Sequence, residues 1–135
     1  MLVILDANIL ISFALQSQAL KPLQEAYVTK DFTSIISTYL LAEVDNVLAR
    51  PKFAKYISKS DRLTVVQELA KLSTAIQIKQ PFPKFSDPKD RYLLAMLRDS
   101  QAELLITGDK KLLDLGHYQD KAIITPQEFI RKYLN

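Results

Sequence analysis

Four carboxylates, Asp6, Glu43, Asp90 and Asp109, stand where acids can do chemistry. Asp6 directly follows an apolar run at residues 2–5, and Asp109 follows a second run at 104–107 after one glycine, Gly108, a residue suited to a tight strand exit. In open α/β sheets the binding crevice lies beyond the carboxyl ends of the strands. If both runs are central and parallel, the two carboxylates therefore converge. Each also has an ordinary reading, because aspartate is a favoured turn and helix-capping residue and helical patterns begin near Ile9 and near Lys110.

Asp90 is harder to explain as a surface acid. A helix expected over residues 88–101 carries its apolar stripe on Leu93 and Leu97, flanked by Leu94 and Met96, and Asp90 falls inside that stripe. Burying a carboxylate costs several kcal/mol unless it is paired or bound to a metal. The competing explanation, the dipole at the first turn of the helix, supplies only about 0.3 to 1 kcal/mol. Glu43 borders the stripe of Leu40, Leu41, Val44, Val47 and Leu48, where it reads as a surface residue or as a long side chain reaching over the sheet edge.

Acids gathered at one crevice repel one another and raise each other's pKa unless a cation sits among them. A hard divalent ion, Mg²⁺ or Mn²⁺, suits an all-oxygen set, whereas zinc favours histidine and cysteine. The chain has no cysteine and one histidine, His117, which is expected in a late loop as a structural or exposed residue. Disulfides and thiolate sites are thereby excluded, and a single histidine in a late loop disfavours a histidine-paired nucleophile.

The elements that must position these acids follow from periodicity. Short apolar runs at 2–5, 32–36, 74–78, 104–107 and 122–124 alternate with segments of three-to-four-residue apolar spacing, which argues an α/β fold with a parallel sheet of about five strands and helices on both faces. Asp87-Pro88 reads as a cap followed by proline at the first helical position, Thr125 to Glu128 as a capping box, and Pro51 as the start of a short helix after the one carrying Glu43. At 135 residues, 48% hydrophobic and 24% charged, the chain is expected to form one soluble domain over 1–135. Two glycines are too few for a phosphate-cradling glycine loop. No apolar run reaches the roughly 18 residues of a membrane helix. The start MLVILDANIL lacks a basic leader, so a cytoplasmic protein with no membrane association is expected. The net charge of +3 permits an anionic partner without requiring one. Arg50, Lys52, Lys55, Lys59 and Arg62 face a single acid, Asp61, over one stretch; this is either a solvated helical face or a surface that tracks a nucleic-acid backbone.

Taken in order, LDANIL, STYLLAEVDNVLARPKF, DPKDRYLLAML and LLITGDKKLLDL, with the ending ITPQEFIRKYL, resemble PIN domains. The resemblance is nearest to the bacterial and archaeal branch of toxin-antitoxin toxins related to VapC, and it spans essentially the whole chain. It implies a three-layer α/β/α fold and a metal-dependent endoribonuclease acting on single-stranded or structured RNA. It also implies a small antitoxin partner and a homodimer. Asp6, Glu43, Asp90 and Asp109 match the family's acidic quartet, Asn8 and Thr107 the polar positions that support its first and last members, and Asp87 an additional acid, taken first as a helix cap and second as a ligand. Two other readings remain. A haloacid-dehalogenase-like phosphatase would need a second aspartate where Asn8 stands, and a PIN-like module could bind RNA or protein without cutting.

Overall fold

Residues 2–5 pack as the central strand because a parallel strand covered on both faces can be apolar throughout: Val3, Ile4 and Leu5 of β1 (Leu2–Leu5) have no solvent exposure. In the computed structural model, which describes residues 1–134, β1 is flanked by β2 (Thr33–Ile36) and β4 (Leu104–Ile106). The remaining strands are β3 (Thr74–Ala75), β5 (His117–Tyr118) and β6 (Lys121–Ile124), and the six run in the order β3-β2-β1-β4-β6-β5. Every pairing is parallel except the terminal β5–β6 hairpin. The three-layer α/β/α expectation holds, with six strands where about five were expected. The additional one is β5, whose two residues are too short to show a periodicity, and it takes His117 out of the loop where the sequence put it. The run at 74–78 forms strand only over Thr74–Ala75.

Among the described residues eight helices accompany these strands: α1 (Ala7–Ala14), α2 (Lys21–Val28), α3 (Thr38–Leu48), α4 (Pro51–Ala54), α5 (Lys59–Leu72), α6 (Arg91–Asp99), α7 (Lys110–Leu115) and α8 (Pro126–Tyr133). The chain runs β1 to β2 to β3 on one side, then returns to β4 on the other side of β1. The order thus reverses at the β1/β4 boundary, where sheets of this class open a crevice.

α6 is the most deeply embedded helix. Tyr92 through Leu97 are all buried, and a buried leucine contributes roughly 1.5 to 3 kcal/mol. The helix starts later than expected: Pro88–Asp90 form a 3-10 turn, and α6 proper runs only to Asp99. Local caps set the other starts. Ser37 Oγ accepts from the Leu40 N–H, and Ser58 and Asp61 form a reciprocal capping box. Thr125 caps α8 as expected, but Glu128 pairs with Lys132 (3.4 Å) instead of reaching back, so the expected capping box is half formed. Of the two glycines, Gly116 ends α7 at φ +78°, a left-handed conformation that suits glycine. Gly108 adopts no such angle and has open space where a Cβ would lie, so the strand exit does not depend on it. Among the described residues no helix is long and apolar enough to cross a membrane.

Candidate functional site

Because β1 and β4 pair in register, Leu5 against Ile106, the residues that follow them meet at the crevice. The Asp6 N–H donates to the Ile106 carbonyl (3.0 Å). Thr107, fully buried, ties the two strand ends together. Its hydroxyl donates to Asp6 Oδ2 (2.5 Å) and accepts from the Asp109 N–H (3.0 Å). Burial raises the pKa of Asp6, with a smaller push from Asp109; the Thr107 hydroxyl and the amides of Ala7 and Asn8 oppose that rise. Asp109 fills both roles considered for it. Its Oδ2 caps α7 by accepting from the Leu112 N–H (3.0 Å), which leaves Oδ1 for another partner.

Asp90 occupies the last position of the 3-10 turn and the first cap of α6, and it is buried. Its Oδ2 has no hydrogen-bond partner. Burial, then repulsion from Asp109, Asp6 and Asp87, pushes its pKa up to about 7, with Lys89 opposing weakly. Asp87, Asp90 and Asp109 each bring an oxygen within 4.8 Å of the others. The tightest grouping of acids therefore includes Asp87, which the sequence reading ranked first as a cap. It does hold the cap position, but its side chain makes no cap bond; Oδ2 lies 3.9 Å from Lys89 Nζ. Two arginines of α6 pin the preceding loop. Arg91 donates twice to the Phe85 carbonyl, at 3.1 and 3.0 Å, and Arg98 donates to the carbonyls of Pro81 and Gln80 while pairing with Asp99 at 2.6 Å.

Asp6, Asn8, Glu43, Asp90 and Asp109 line one small pocket of about 130 Å³, together with Ala7, Val47, Arg50, Lys89 and Tyr92. That volume equals about four waters at roughly 30 Å³ each, enough for an ion that keeps part of its hydration. Asp6 and Glu43 form its wall, beside the closer trio.

Tyr92, Lys89 and Arg50 were not singled out as site residues from sequence. Glu43 and Val47 share a face of α3 at four-residue spacing, a signal available in the sequence, whereas Arg50 lies beyond the end of α3 in extended backbone and is placed by the turn into α4. Tyr92 is buried, and burial followed by the carboxylates of Asp6, Glu43 and Asp90 raises its pKa strongly, so it stays a neutral phenol facing acids. His117 is exposed on β5 and contributes nothing to this pocket. The basic stretch divides: Arg62 is held by Asp45 (3.2 Å), whereas Arg50 reaches the pocket.

Over residues 2–111 the chain matches the PIN domain. No curated protein matches it. Among solved structures, VapBC2 from Rickettsia felis bound to a DNA fragment from its promoter is similar in fold. The TM-score is 0.64 at 14% identity, covering 93% of this chain and 98% of that one.

Proposed function

We propose, from the premise that the chain belongs to the PIN-domain family, that it is a Mg²⁺- or Mn²⁺-dependent endoribonuclease with Asp6, Glu43, Asp90 and Asp109 as its catalytic acids. The observation that carries this reading is Asp90: its Oδ2 is a buried carboxylate oxygen with no hydrogen bond, and the residue is grouped with Asp87 and Asp109 and lines a pocket of acids. An orphaned buried oxygen among like charges is unfavourable in the free chain and favourable around a cation. The all-carboxylate donor set fits a hard divalent ion.

Asp90 and Asp109 would hold that ion, with Asp87 beside them and Asp6 behind. When bound it supplies Lewis-acid polarisation of a phosphodiester oxygen and a water of lowered pKa. The chain's own residues do the rest. Thr107 keeps Asp6 and Asp109 at a fixed separation, and Asn8 lies on the pocket wall next to Asp6. Arg50 and Lys89 offer positive charge to a phosphate entering between the acids. Tyr92, held as a neutral phenol, offers a hydrogen-bond donor to this pocket where a lysine would add charge. Hydrolysis would replace one P–O ester bond by a P–O bond from water, the water's proton passing to a wall carboxylate such as Glu43 and the leaving oxygen taking a proton from solvent.

The fold shared with VapBC2 supports a toxin role in a toxin-antitoxin pair with an antitoxin partner; that it acts in the cytoplasm as a homodimer is part of the same proposal. The test uses labelled single-stranded RNA with Mg²⁺ or Mn²⁺, with chelator, and with Asp6→Asn purified identically. Cleavage lost with chelator and reduced at least about a hundredfold by Asp6→Asn is expected. Equal cleavage by both proteins would reject the enzyme, and binding without Asp6-dependent cleavage would favour a non-catalytic RNA-binding module.

A further inference from the structure

Tyr56 is 71% exposed, the most exposed large apolar side chain among the described residues. It stands at the edge of a groove of about 550 Å³ between the end of α1 and α4, lined by Leu15, Lys52, Phe53, Tyr56 and Ile57. Phe53 packs partly against the core and anchors the floor, leaving Tyr56 as the free ring.

Cations interleave with the rings. Lys52 Nζ lies 4.9 Å from the Phe53 ring centre, and Lys55 Nζ lies 5.1 Å from that of Tyr56. From Arg50 to Ser60 there are four basic residues and no acid, and among the described residues neither Lys52 nor Lys55 pairs with a carboxylate. The groove adjoins the acidic pocket through the chain itself. Arg50, which lines that pocket, is the N-cap of α4, and Tyr56 lies six positions further on, at most about 22 Å even fully extended.

We propose that α4 and the end of α1 form a second subsite that takes a base of single-stranded RNA on Tyr56 and its flanking phosphates on Lys52 and Lys55. The occupant is chosen by charge and shape. An aromatic face beside unpaired cations suits a stacked base on a polyanion, whereas a partner helix would need a continuous apolar seam. The choice of RNA as the strand rests on the nuclease reading above. The subsite itself recognises stacking and charge, so it orients the strand that leaves the acidic pocket and carries no base code.

The probe is a fluorescein-labelled twelve-nucleotide adenylate strand, titrated by anisotropy against the full chain in EDTA, where metal-dependent cleavage is silent. Tyr56→Ala should weaken binding about 5- to 150-fold, and Tyr56→Phe should stay within about twofold of wild type. Lys52→Ala with Lys55→Ala should lower the slope of log K against log salt by about 1.4. A base-paired duplex should show no Tyr56 dependence, because its bases are already stacked. Melting temperatures should be unchanged, since the ring is exposed.

Wild-type affinity in Tyr56→Ala, or an equal loss for duplex and single strand, would overturn the subsite. So would a loss of dimer mass in light scattering with RNA affinity retained, which would make the patch a protein interface. Because binding is read without cleavage, the two readings fail separately. Asp6-independent cleavage with Tyr56-dependent binding removes the enzyme and keeps the subsite, and the converse pattern removes the subsite alone.

Discussion

Replacing Asp90 by asparagine should stabilise the metal-free protein above neutral pH, and the size of the effect follows from the site. The carboxyl has a pKa near 7 in the folded chain against 3.8 when unfolded. The native state therefore binds the extra proton between those values, and stability falls as pH rises from about 4 to about 7, then levels off. At pH 8 the ionised group costs about 4 kcal/mol relative to a carboxyl of ordinary pKa. Asparagine removes that charge but leaves a buried amide short of a partner, at a cost of about 1 to 3 kcal/mol, so the net gain is about 1 to 3 kcal/mol. For a chain of this size that raises Tm by roughly 3 to 10 °C. Thermal melts by circular dichroism in EDTA at pH 8 and pH 5 measure it. The gain should be present at pH 8 and vanish at pH 5, where wild-type Asp90 is protonated. Saturating Mg²⁺ at pH 8 should reverse the order, because an ion at a hundred times its Kd adds about 2.7 kcal/mol to the protein that binds it. A variant several degrees less stable than wild type at pH 8 in EDTA, with no difference in its response to Mg²⁺, would refute the argument and make Asp90 a structural residue.

Thr107→Val should cost about 2 kcal/mol in urea unfolding and depress cleavage, because it strips a partner from both Asp6 and Asp109; Thr107→Ser, which keeps the hydroxyl, should lose less than about 1 kcal/mol and retain activity. Gly116→Ala should destabilise by about 1 to 2 kcal/mol on account of its φ of +78°, while Gly108→Ala should be neutral or stabilising by up to about 1 kcal/mol, and differential scanning calorimetry of the pair separates the two. Lys121 donates to the carbonyls of Leu97 and Ser100 at the end of α6, so Lys121→Met should lower the urea midpoint by an amount equal to about 1 to 3 kcal/mol without changing metal affinity.

Which acids gather at the pocket was legible wherever chemistry conflicted with local pattern. Asp90 stood out because a charge interrupted an apolar stripe, and Asp6 and Asp109 because each followed an apolar run; all three line the pocket. Asp87 reads first as a cap because Asp-Pro is a common helix start; in the structure it holds the cap position, makes no side-chain cap bond and lies near Asp90 and Asp109. Tyr92 was hidden because an aromatic residue in an apolar helix reads as core, which it also is.

The linear chain by itself determined the alternation of strands and helices, because side-chain periodicity depends only on neighbours in sequence, and it narrowed the donors a multidentate metal site could draw on, because a chain without cysteine and with one histidine can build such a site chiefly from oxygen. Tertiary structure alone decided the site. Asp6 and Asp109 are 103 positions apart, and they meet because β4 returns to the far side of β1 in register. That pairing depends on non-local hydrogen bonds and on which faces are buried, and no short window of sequence records either.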